Sequence, residues 1–339
     1  MGHSSQSGHV ILRSQATPGV LAPDLATAGV GIKLRSGGLA TNRELLIPDA
    51  EIGGGRDIAD AYLGASSWSG DYEFYPRMNS LATLLKAAFG SVATTHPTDP
   101  DTTETHTFTP IDNATLPLLS IEEYIGSGLE TYNYTDAVVN TLHFECEANG
   151  YLTGTCGLIA KKQIAGATPT ATPVYDNLPM IVGTNVTVTY DGVQLPAKSF
   201  SFDLNNNVAD DDFRLGSFYL GDLTAKRREI TMGVSIRPSD SDLWRQATYG
   251  QVAATQVGGI ATKKECIITM QTYEVIPDSS PTAYYSLSIP VPLSVIKPYS
   301  FGPSGDDVLE NDLEIQAIRP DPATPALTAI IQSDVAVIA

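Results

Sequence analysis

Histidines and carboxylates cluster at one place in the chain where a metal ion could be imagined. His96 and His106 flank a stretch rich in Pro, Asp and Thr that also contains Asp99, Asp101 and Glu104. Imidazole and carboxylate groups are common metal ligands, but zinc and calcium sites have characteristic ligand spacings, and none is found here. We therefore expect a solvated acidic loop, with no metal and no other cofactor.

No other group of side chains matches a catalytic motif. His143 stands in a predicted strand with no nucleophile assigned to it, and the chain contains no GxSxG, HExxH, P-loop or dinucleotide fingerprint. The adjacent pairs Glu122-Glu123 and Asp306-Asp307 would point to opposite faces of a strand, so neither pair alone could act as acid and base. The sequence predicts that the protein is not an enzyme.

Two short runs of like charge stand out. Asp210-Asp211-Asp212 could bind a hard cation, but no EF-hand spacing with its closing glutamate follows. A solvated surface is the better interpretation. The run is also complementary to Lys226-Arg227-Arg228, which suggests electrostatic pairing between subunits.

The three cysteines do not form a disulfide framework. Cys146 and Cys156 flank Asn149-Gly150, a strong signal for a two-residue hairpin turn. Such a turn pairs His143 with Cys156 and places the two thiols on opposite sheet faces. We expect all three cysteines, including Cys266, to be buried free thiols.

Composition favours a β protein with two ordinary cores. The 339 residues are 42% apolar and 17% charged, with 29 Gly and 22 Pro, which is typical of many short strands and frequent turns. Acidic residues outnumber basic ones by 38 to 20, for a net charge of −18. Such a surface repels nucleic acid, although it suits a channel through which DNA must slide. No signal peptide or membrane span is predicted, so we expect synthesis in a cytoplasm.

One phrase occurs twice. LLKAAFGSVATT at residues 84–95 matches LWRQATYGQVAAT at residues 243–255 when Gly90 is aligned with Gly250. The apolar spacing predicts an amphipathic helix in each, ended by a glycine in the left-handed conformation and followed by a strand. Upstream, residues 50–70 align with 202–222, placing Gly53-Gly54-Gly55 over Asn205-Asn206-Asn207. Downstream, LLSIEEY (118–124) resembles IITMQTY (267–273).

The repeat predicts two copies of one fold of about 140 residues, each a whole domain. We expect an N-terminal arm at 1–40, a first domain at 41–163, a linker at 164–178, a second domain at 179–318 and a C-terminal arm at 319–339. The copies differ most at 96–117, a long polar loop in the first copy that is expected to be functional or disordered.

The order of these segments carries a resemblance. EIGGGRD, AYLGASSWSGDYEFYPR and SLATLLKAAFG, together with the second copy from SFDLNNNVADDDFRLGSFYLGD to SDSDLWRQATYG, resemble the tail tube proteins of long-tailed bacteriophages over most of residues 40–318. The resemblance implies mainly β structure, with two tandem β-sandwich or barrel-like tail-tube domains that each carry one short flanking α-helix. In that family, six domains form a ring around a lumen and the rings stack into a tube that conducts DNA.

Duplication then predicts three chains per ring, a pseudo-sixfold homotrimer, because each chain supplies two domains. A homohexamer in which one copy lines the lumen is the alternative. Candidates for lumen-lining carboxylates are Glu51, Glu73, Glu122, Asp203 and Glu229, although strand alternation leaves the inward face undecided. Candidates for contacts between rings are the loop residues named above, His96, Asp99, Asp101, Glu104 and His106, with Ile330 and Ile331 of the apolar tail.

The resemblance also implies partners and location. A tape-measure protein and tail terminator or tip proteins are expected, DNA passes without specific binding, and no membrane is involved. The protein would reside in the virion tail and assemble in the host cytoplasm. The alternative is another structural virion or surface β-protein, such as a capsid, baseplate or adhesin component. A carbohydrate enzyme is ranked last because two Trp and nine Phe offer few stacking platforms for sugars.

Overall fold

The computed structural model describes residues 5–49, 51–52, 57–58, 60–98, 101–126, 128–302, 308–336 and 338. Over this part of the chain, strands dominate and three α-helices are present. The predicted mainly β fold of the sandwich or barrel-like class is confirmed. Among these residues no helix is long and apolar enough to cross a membrane.

We call residues 5–165 the first half of the chain. Its elements are β1 (His9–Gln15), α1 (Leu25–Ala28), β2 (Val30–Ile32), β3 (Leu34–Gly37), β4 (Ala40–Leu46), β5 (Tyr62–Phe74), α2 (Met78–Phe89), β6 (Gly90–Thr95), β7 (Glu104–Pro110), β8 (Leu118–Tyr124), β9 (Thr131–Glu147), β10 (Thr153–Ala160) and β11 (Lys162–Ala165).

We call residues 186–333 the second half. Its elements are β12 (Val186–Tyr190), β13 (Val193–Gln194), β14 (Ala197–Asn205), β15 (Val208–Ala209), β16 (Thr224–Ala225), β17 (Glu229–Ile236), α3 (Asp242–Tyr249), β18 (Lys264–Val275), β19 (Tyr284–Ile296), β20 (Asn311–Ala317) and β21 (Ala329–Ser333).

One antiparallel run of eight strands crosses both halves, in the order β4-β5-β10-β9-β14-β17-β20-β19. The halves meet where β9 pairs with β14, from Thr141 opposite Asn205 to Glu147 opposite Ser199. We call this pairing the seam. Since backbone hydrogen bonds continue across it, the halves share one sheet instead of touching only through side chains.

Strand pairing follows the same scheme in both halves. β2-β1-β8-β9-β10-β5-β4 in the first half corresponds to β13-β12-β18-β19-β20-β17-β14 in the second, with every neighbouring pair antiparallel. The register differs from the predicted alignment upstream of the helices. β4 pairs with β5 as β14 pairs with β17, so β4 is the counterpart of β14, and Glu51, which the predicted alignment placed over Asp203, lies beyond the end of β4.

The helices α2 and α3 follow β5 and β17, as predicted. α2 is almost wholly buried, with Leu81, Leu84 and Leu85 at most 1% exposed. Gly90 and Gly250 end the two helices with φ of 102° and 84°, the left-handed conformation that glycine adopts without strain. The strand predicted after each helix forms as β6 in the first half, but residues 250–255 form none.

Segments expected to be irregular are partly strands. Residues 9–32 contribute β1 and β2, and Val10, Ile11 and Leu12 are buried, so this part of the expected N-terminal arm belongs to the sheet. Residues 104–110 of the expected polar loop form β7, in which Glu104, His106 and Phe108 face inward alternately with Thr. β21 of the expected C-terminal arm pairs with β7 and β19. Short alternating strands of this kind are visible only once their partners are known.

The cysteine hairpin differs from the prediction by one residue of register. Thr153 lies opposite Glu145, and Cys156 lies opposite Leu142. A one-residue slip exchanges the two faces of a strand. Cys146 and Cys156 therefore both point to the core, contrary to the prediction that they occupy opposite faces. All three thiols are buried and free, as expected, and burial raises the pKa of Cys146 to about 11 and that of Cys266 to about 12.

Candidate functional site

The eight-stranded run has one apolar face and one polar face. Alternate residues such as Phe74, Cys156, Phe144, Phe202 and Met232 are buried in the core. The residues between them form a continuous surface, which we call the polar sheet face: Ser69, Asp71 and Glu73 on β5; Thr153, Thr155 and Gly157 on β10; Thr141, His143, Glu145 and Glu147 on β9; Ser199, Ser201, Asp203 and Asn205 on β14; Glu229, Thr231, Gly233 and Ser235 on β17; Asp312, Glu314 and Gln316 on β20.

Charge on the polar sheet face is almost entirely negative. The titratable side chains that these six strands place there are eight carboxylates and one histidine: Asp71, Glu73, Glu145, Glu147, Asp203, Glu229, Asp312, Glu314 and His143. Lys297, just beyond the end of β19, reaches the face and forms an ion pair with Glu314. The other positions are mainly Ser, Thr and Gly, so the face presents carboxylates on a surface of small side chains.

The middle of the face is concave. A depression of about 520 Å³ lies over the seam and is lined by both halves, including Glu145 and Glu147 from β9 and Ser199 and Ser201 from β14. Asp312 of β20 closes its far side. The depression is open to solvent and is not an enclosed cavity.

His143 links the two halves on this face. Its Nδ1 lies 2.6 Å from Asp203 Oδ1 across the seam, and its Nε2 lies 3.5 Å from Glu145 Oε2. The hydrogen bond with Asp203 raises the pKa of His143, and partial burial opposes this effect. His143, for which the sequence offered no catalytic partner, therefore joins β9 to β14 across the seam.

Three of the five predicted lumen-lining carboxylates lie on the polar sheet face: Glu73, Asp203 and Glu229. Glu51 lies in the connection between β4 and β5 and is exposed. Glu122 belongs to β8 and is only 3% exposed, with its carboxylate held by His9 Nε2 at 2.7 Å and by Thr170. Glu122 thus contributes no free charge to this surface.

Five carboxylates of the face were not predicted: Asp71, Glu145, Glu147, Asp312 and Glu314. Each alternates with buried apolar residues in its own strand, and that signal is present in the sequence. Alternation along a strand distinguishes its two faces. It does not show which face is buried as long as the neighbouring strands are unknown.

One border of the sheet is an open edge. β4 pairs with β5 alone among the described strands, and all seven of its residues are exposed. At the opposite border, β19 pairs with β20 from Ser294 to Ile296, the Lys297 N–H donates to the Glu314 carbonyl, and residues 298–302 form no strand. An open strand edge offers unpaired N–H and C=O groups to another chain.

The predicted contacts between rings fall into two groups. His106 and Ile331 are fully buried and Glu104 is nearly so, because β7 and β21 pair with each other. His106 contacts Thr94 through Nδ1 and the Val335 carbonyl through Nε2. Ile330 is half-buried on β21.

At the tip of the β6–β7 hairpin, His96 is exposed and Asp101 is half-buried. The His96 side chain is 63% exposed and contacts Glu104 Oε2 at 2.7 Å. Asp101 accepts a hydrogen bond from the Ser280 backbone, while Asp99 lies outside the described residues. Over the described part of the chain, no group of three or more potential ligands could hold a metal ion.

Two long connections leave the same end of the sheet, because β4 and β14 run in the same direction. The connection from β14 to β17 exposes Phe213, Leu215 and Phe218, the last two by 107% and 66%. Asp212 within it pairs with Arg214 of the same connection, and Arg228 donates to Asn206 and to the Ile111 carbonyl. Asp212 and Arg228 thus have partners within the chain, and the electrostatic pairing between subunits suggested by the two charged runs stays a prediction.

Sequence comparison agrees with this architecture. The family model described as phage tail tube protein matches residues 5–317, which includes β1 to β20 and most of the segment expected to be an N-terminal arm. A search of curated proteins found no match. Since the match spans nearly the whole chain, it assigns a structural role in the virion tail. The chain belongs to the phage tail tube protein family.

Proposed function

We propose that this chain assembles into rings of three copies with pseudo-sixfold symmetry, and that the rings stack into the hollow tube through which viral DNA is delivered. The observation that carries the proposal is the eight-stranded sheet, with one buried face, one acidic face and an open edge at β4. Both halves contribute four strands to it in the same order.

The open edge suggests how a ring closes. Within the chain, β14 pairs with the end of β9. β4 is the counterpart of β14, so it is placed to pair with the segment that follows β19 in the preceding copy of the ring. Three copies of eight strands would form a barrel of 24 strands, with a backbone diameter of about 48 Å for a 4.8 Å strand spacing and a tilt near 40°.

This geometry favours the trimer over the hexamer. In a hexamer whose lumen is lined by only one half of each chain, only that half would present a polar surface to the lumen. Here the two halves share one sheet and one polar face across the seam, so a barrel that includes the first half includes the second. We propose also that the two halves are the duplicated domains, because their strands pair in the same order.

The acidic face suits the lumen. DNA carries a dense negative charge, and proteins bind it mainly by Lys and Arg that displace counterions. A wall of carboxylates with small polar neighbours gives DNA no such contact and lets it slide. We propose that Glu73, Asp203 and Glu229, together with the five further carboxylates of the polar sheet face, line the lumen.

The ends of the strands face along the tube axis in such a barrel. The connection from β14 to β17 would then meet the next ring, and its exposed Phe213, Leu215 and Phe218 provide an apolar surface that needs a cover. His96 and Asp101 at the hairpin tip remain candidates for the same role. Tape-measure, terminator and tip proteins would complete the tail during assembly in the host cytoplasm.

Electron microscopy of the purified chain tests this function. We expect hollow rings or tubes whose averages show three chains and six similar lobes, and native mass spectrometry should give a trimeric ring. Shells, or monomers at all concentrations, would contradict the proposal. Replacing Glu147, Glu229 and Asp312 by Lys should leave the rings intact but make them retain DNA at low salt. The corresponding Gln variant controls for the loss of the carboxylates.

A further inference from the structure

A strand edge in the second half is covered by a hairpin from the first half. β21 pairs with β19 on one side and with β7 on the other, from Ala329 opposite Phe108 to Ser333 opposite Glu104. β7 in turn pairs with β6 along its length. The β6–β7 hairpin therefore reaches over from one half and closes the sheet of the other.

β11 is the counterpart of β21 in the first half. It pairs with the early part of β9, from Lys162 opposite Thr135 to Ala165 opposite Tyr132, as β21 pairs with the early part of β19. Among the described strands, β9 is the only partner of β11. Ile164 in β11 is 42% exposed, so this edge has no cover corresponding to the hairpin.

Residues 250–260 are the counterpart of the hairpin in the second half. The hairpin starts at Gly90 and returns where the Ile111 N–H donates to the Phe89 carbonyl at 2.8 Å. The shorter segment starts at Gly250 and returns where the Gly258 N–H donates to the Tyr249 carbonyl at 3.2 Å. It exposes Val257 by 78% and Ile260 by 85%, a large apolar surface for so short a loop.

We propose that residues 250–260 of one copy pack against the open edge of β11 in the next copy. Within one chain, the hairpin of the first half covers the edge of the second half. In the ring, the shorter loop of the second half would cover the edge of the first half of the next chain in the same way. Ile260 and Val257 would cover Ile164. This inference rests on the proposed ring, which it extends by a second contact beside the pairing of β4.

Disulfide trapping in the full-length chain tests the contact. The variant Ile164→Cys/Ile260→Cys should give covalent dimers and trimers when assembled rings are oxidised, whereas neither single variant should do so. The native cysteines are buried and do not compete. Ile164→Cys/Val257→Cys provides a second pair if the first does not assemble. Rings that remain uncross-linked with both pairs would overturn the inference while leaving the proposed function intact.

A surface substitution gives an independent readout. Ile260→Lys changes a side chain that is exposed in the single chain, so folding should be unaffected, but the concentration needed for ring assembly should rise about tenfold. Val193→Lys, at a position 66% exposed on β13, is the matched control and should leave that concentration unchanged. An equal effect of both variants would contradict the contact. A wild-type chain that forms no rings would instead refute the proposed function, and this contact with it.

Discussion

His143 and Asp203 form a 2.6 Å hydrogen bond across the seam, although they are 60 residues apart in the chain. One residue belongs to β9 and the other to β14, so the bond joins the two halves on the polar sheet face. Glu145 lies on the other side of the imidazole. The imidazole of His143 therefore lies between two carboxylates of the acidic seam.

Stability should therefore depend on pH through His143. Its pKa is raised in the folded chain, so its contribution is complete below the unfolded value of about 6.5 and is lost as the pH rises through the folded pKa. His143→Gln should lower the free energy of unfolding by about 1 kcal/mol at pH 6 and by less at pH 9, because the pair is partly exposed. Urea unfolding at both pH values measures this difference.

Asp203→Asn is the partner variant for that experiment. The destabilisation by Asp203→Asn should show the same dependence on pH. The double variant should lose little more free energy of unfolding than either single variant. Equal destabilisation by His143→Gln at pH 6 and pH 9 would show that the charge of the histidine plays no part.

The linker between the halves should stabilise helix α2. Asp176 Oδ2 accepts hydrogen bonds from the backbone N–H groups of Asn79 and Ser80 at 2.9 and 2.8 Å. Since Arg77 at the N-cap supplies no side-chain bond, Asp176→Ala should cost about 1 kcal/mol. Thermal unfolding measures this loss. Asp57→Ala, at an exposed position, is the control, and similar melting temperatures for both variants would refute the capping role.

Glu123 should weaken the fold as the pH rises. It is 9% exposed, and burial raises the pKa of its carboxyl. The hydrogen bonds that it accepts from the Leu39 N–H and the Tyr72 hydroxyl act in the opposite direction. Because the pKa is raised in the folded chain, the protonated carboxyl of Glu123 favours the folded state. This contribution to stability is complete below about pH 4.5 and is lost as the pH rises. Glu123→Gln keeps a hydrogen-bond acceptor without the charge. The change in the free energy of unfolding caused by this substitution should therefore be more favourable at pH 8 than at pH 4.5.

Denaturant unfolding of the Glu123→Gln variant at the two pH values checks this expectation. Glu51→Gln, in an exposed connection, should show no such dependence. If the effect of Glu123→Gln does not change with pH, ionisation of the buried carboxyl does not affect stability over this range.

Aromatic packing beneath the seam should hold the halves together. Phe144 and Phe202 stack with ring centroids 6.0 Å apart, and both are fully buried. Phe202→Ala should cost about 3–5 kcal/mol because it leaves a cavity at the junction, whereas Phe202→Leu should cost clearly less. Denaturant unfolding monitored by circular dichroism measures both losses. A cost below 1 kcal/mol for the alanine variant would show that the seam depends mainly on its backbone pairing.

Local signals in the sequence were sufficient for several elements. The apolar spacing that precedes Gly90 predicts α2, and the glycine itself predicts its left-handed end. The matching Gly250 predicts α3 for the same reason. Helices and their caps depend on residues within a few positions of each other, so the sequence contains nearly all the information needed.

Long-range pairing was less accessible. The phrase after Gly90 forms β6, but the nearly identical phrase after Gly250 forms no strand, because β6 has β7 as its partner and residues 250–255 have none among the described strands. His106 was predicted in a solvated loop and is buried, since β21 pairs with its strand. A strand is stabilised by its neighbours, and those neighbours are distant in sequence.

The sequence by itself determined that this protein is mainly β and acidic. It also determined that two helices, each ended by a glycine, lie within similar stretches of sequence. Only the tertiary structure decided that Glu73, Asp203 and Glu229 share a face while Glu122 is buried, and that both halves enter one sheet. The reason is physical: alternation along a strand defines two faces, but the pairing of distant strands decides which face is covered and which is left to solvent.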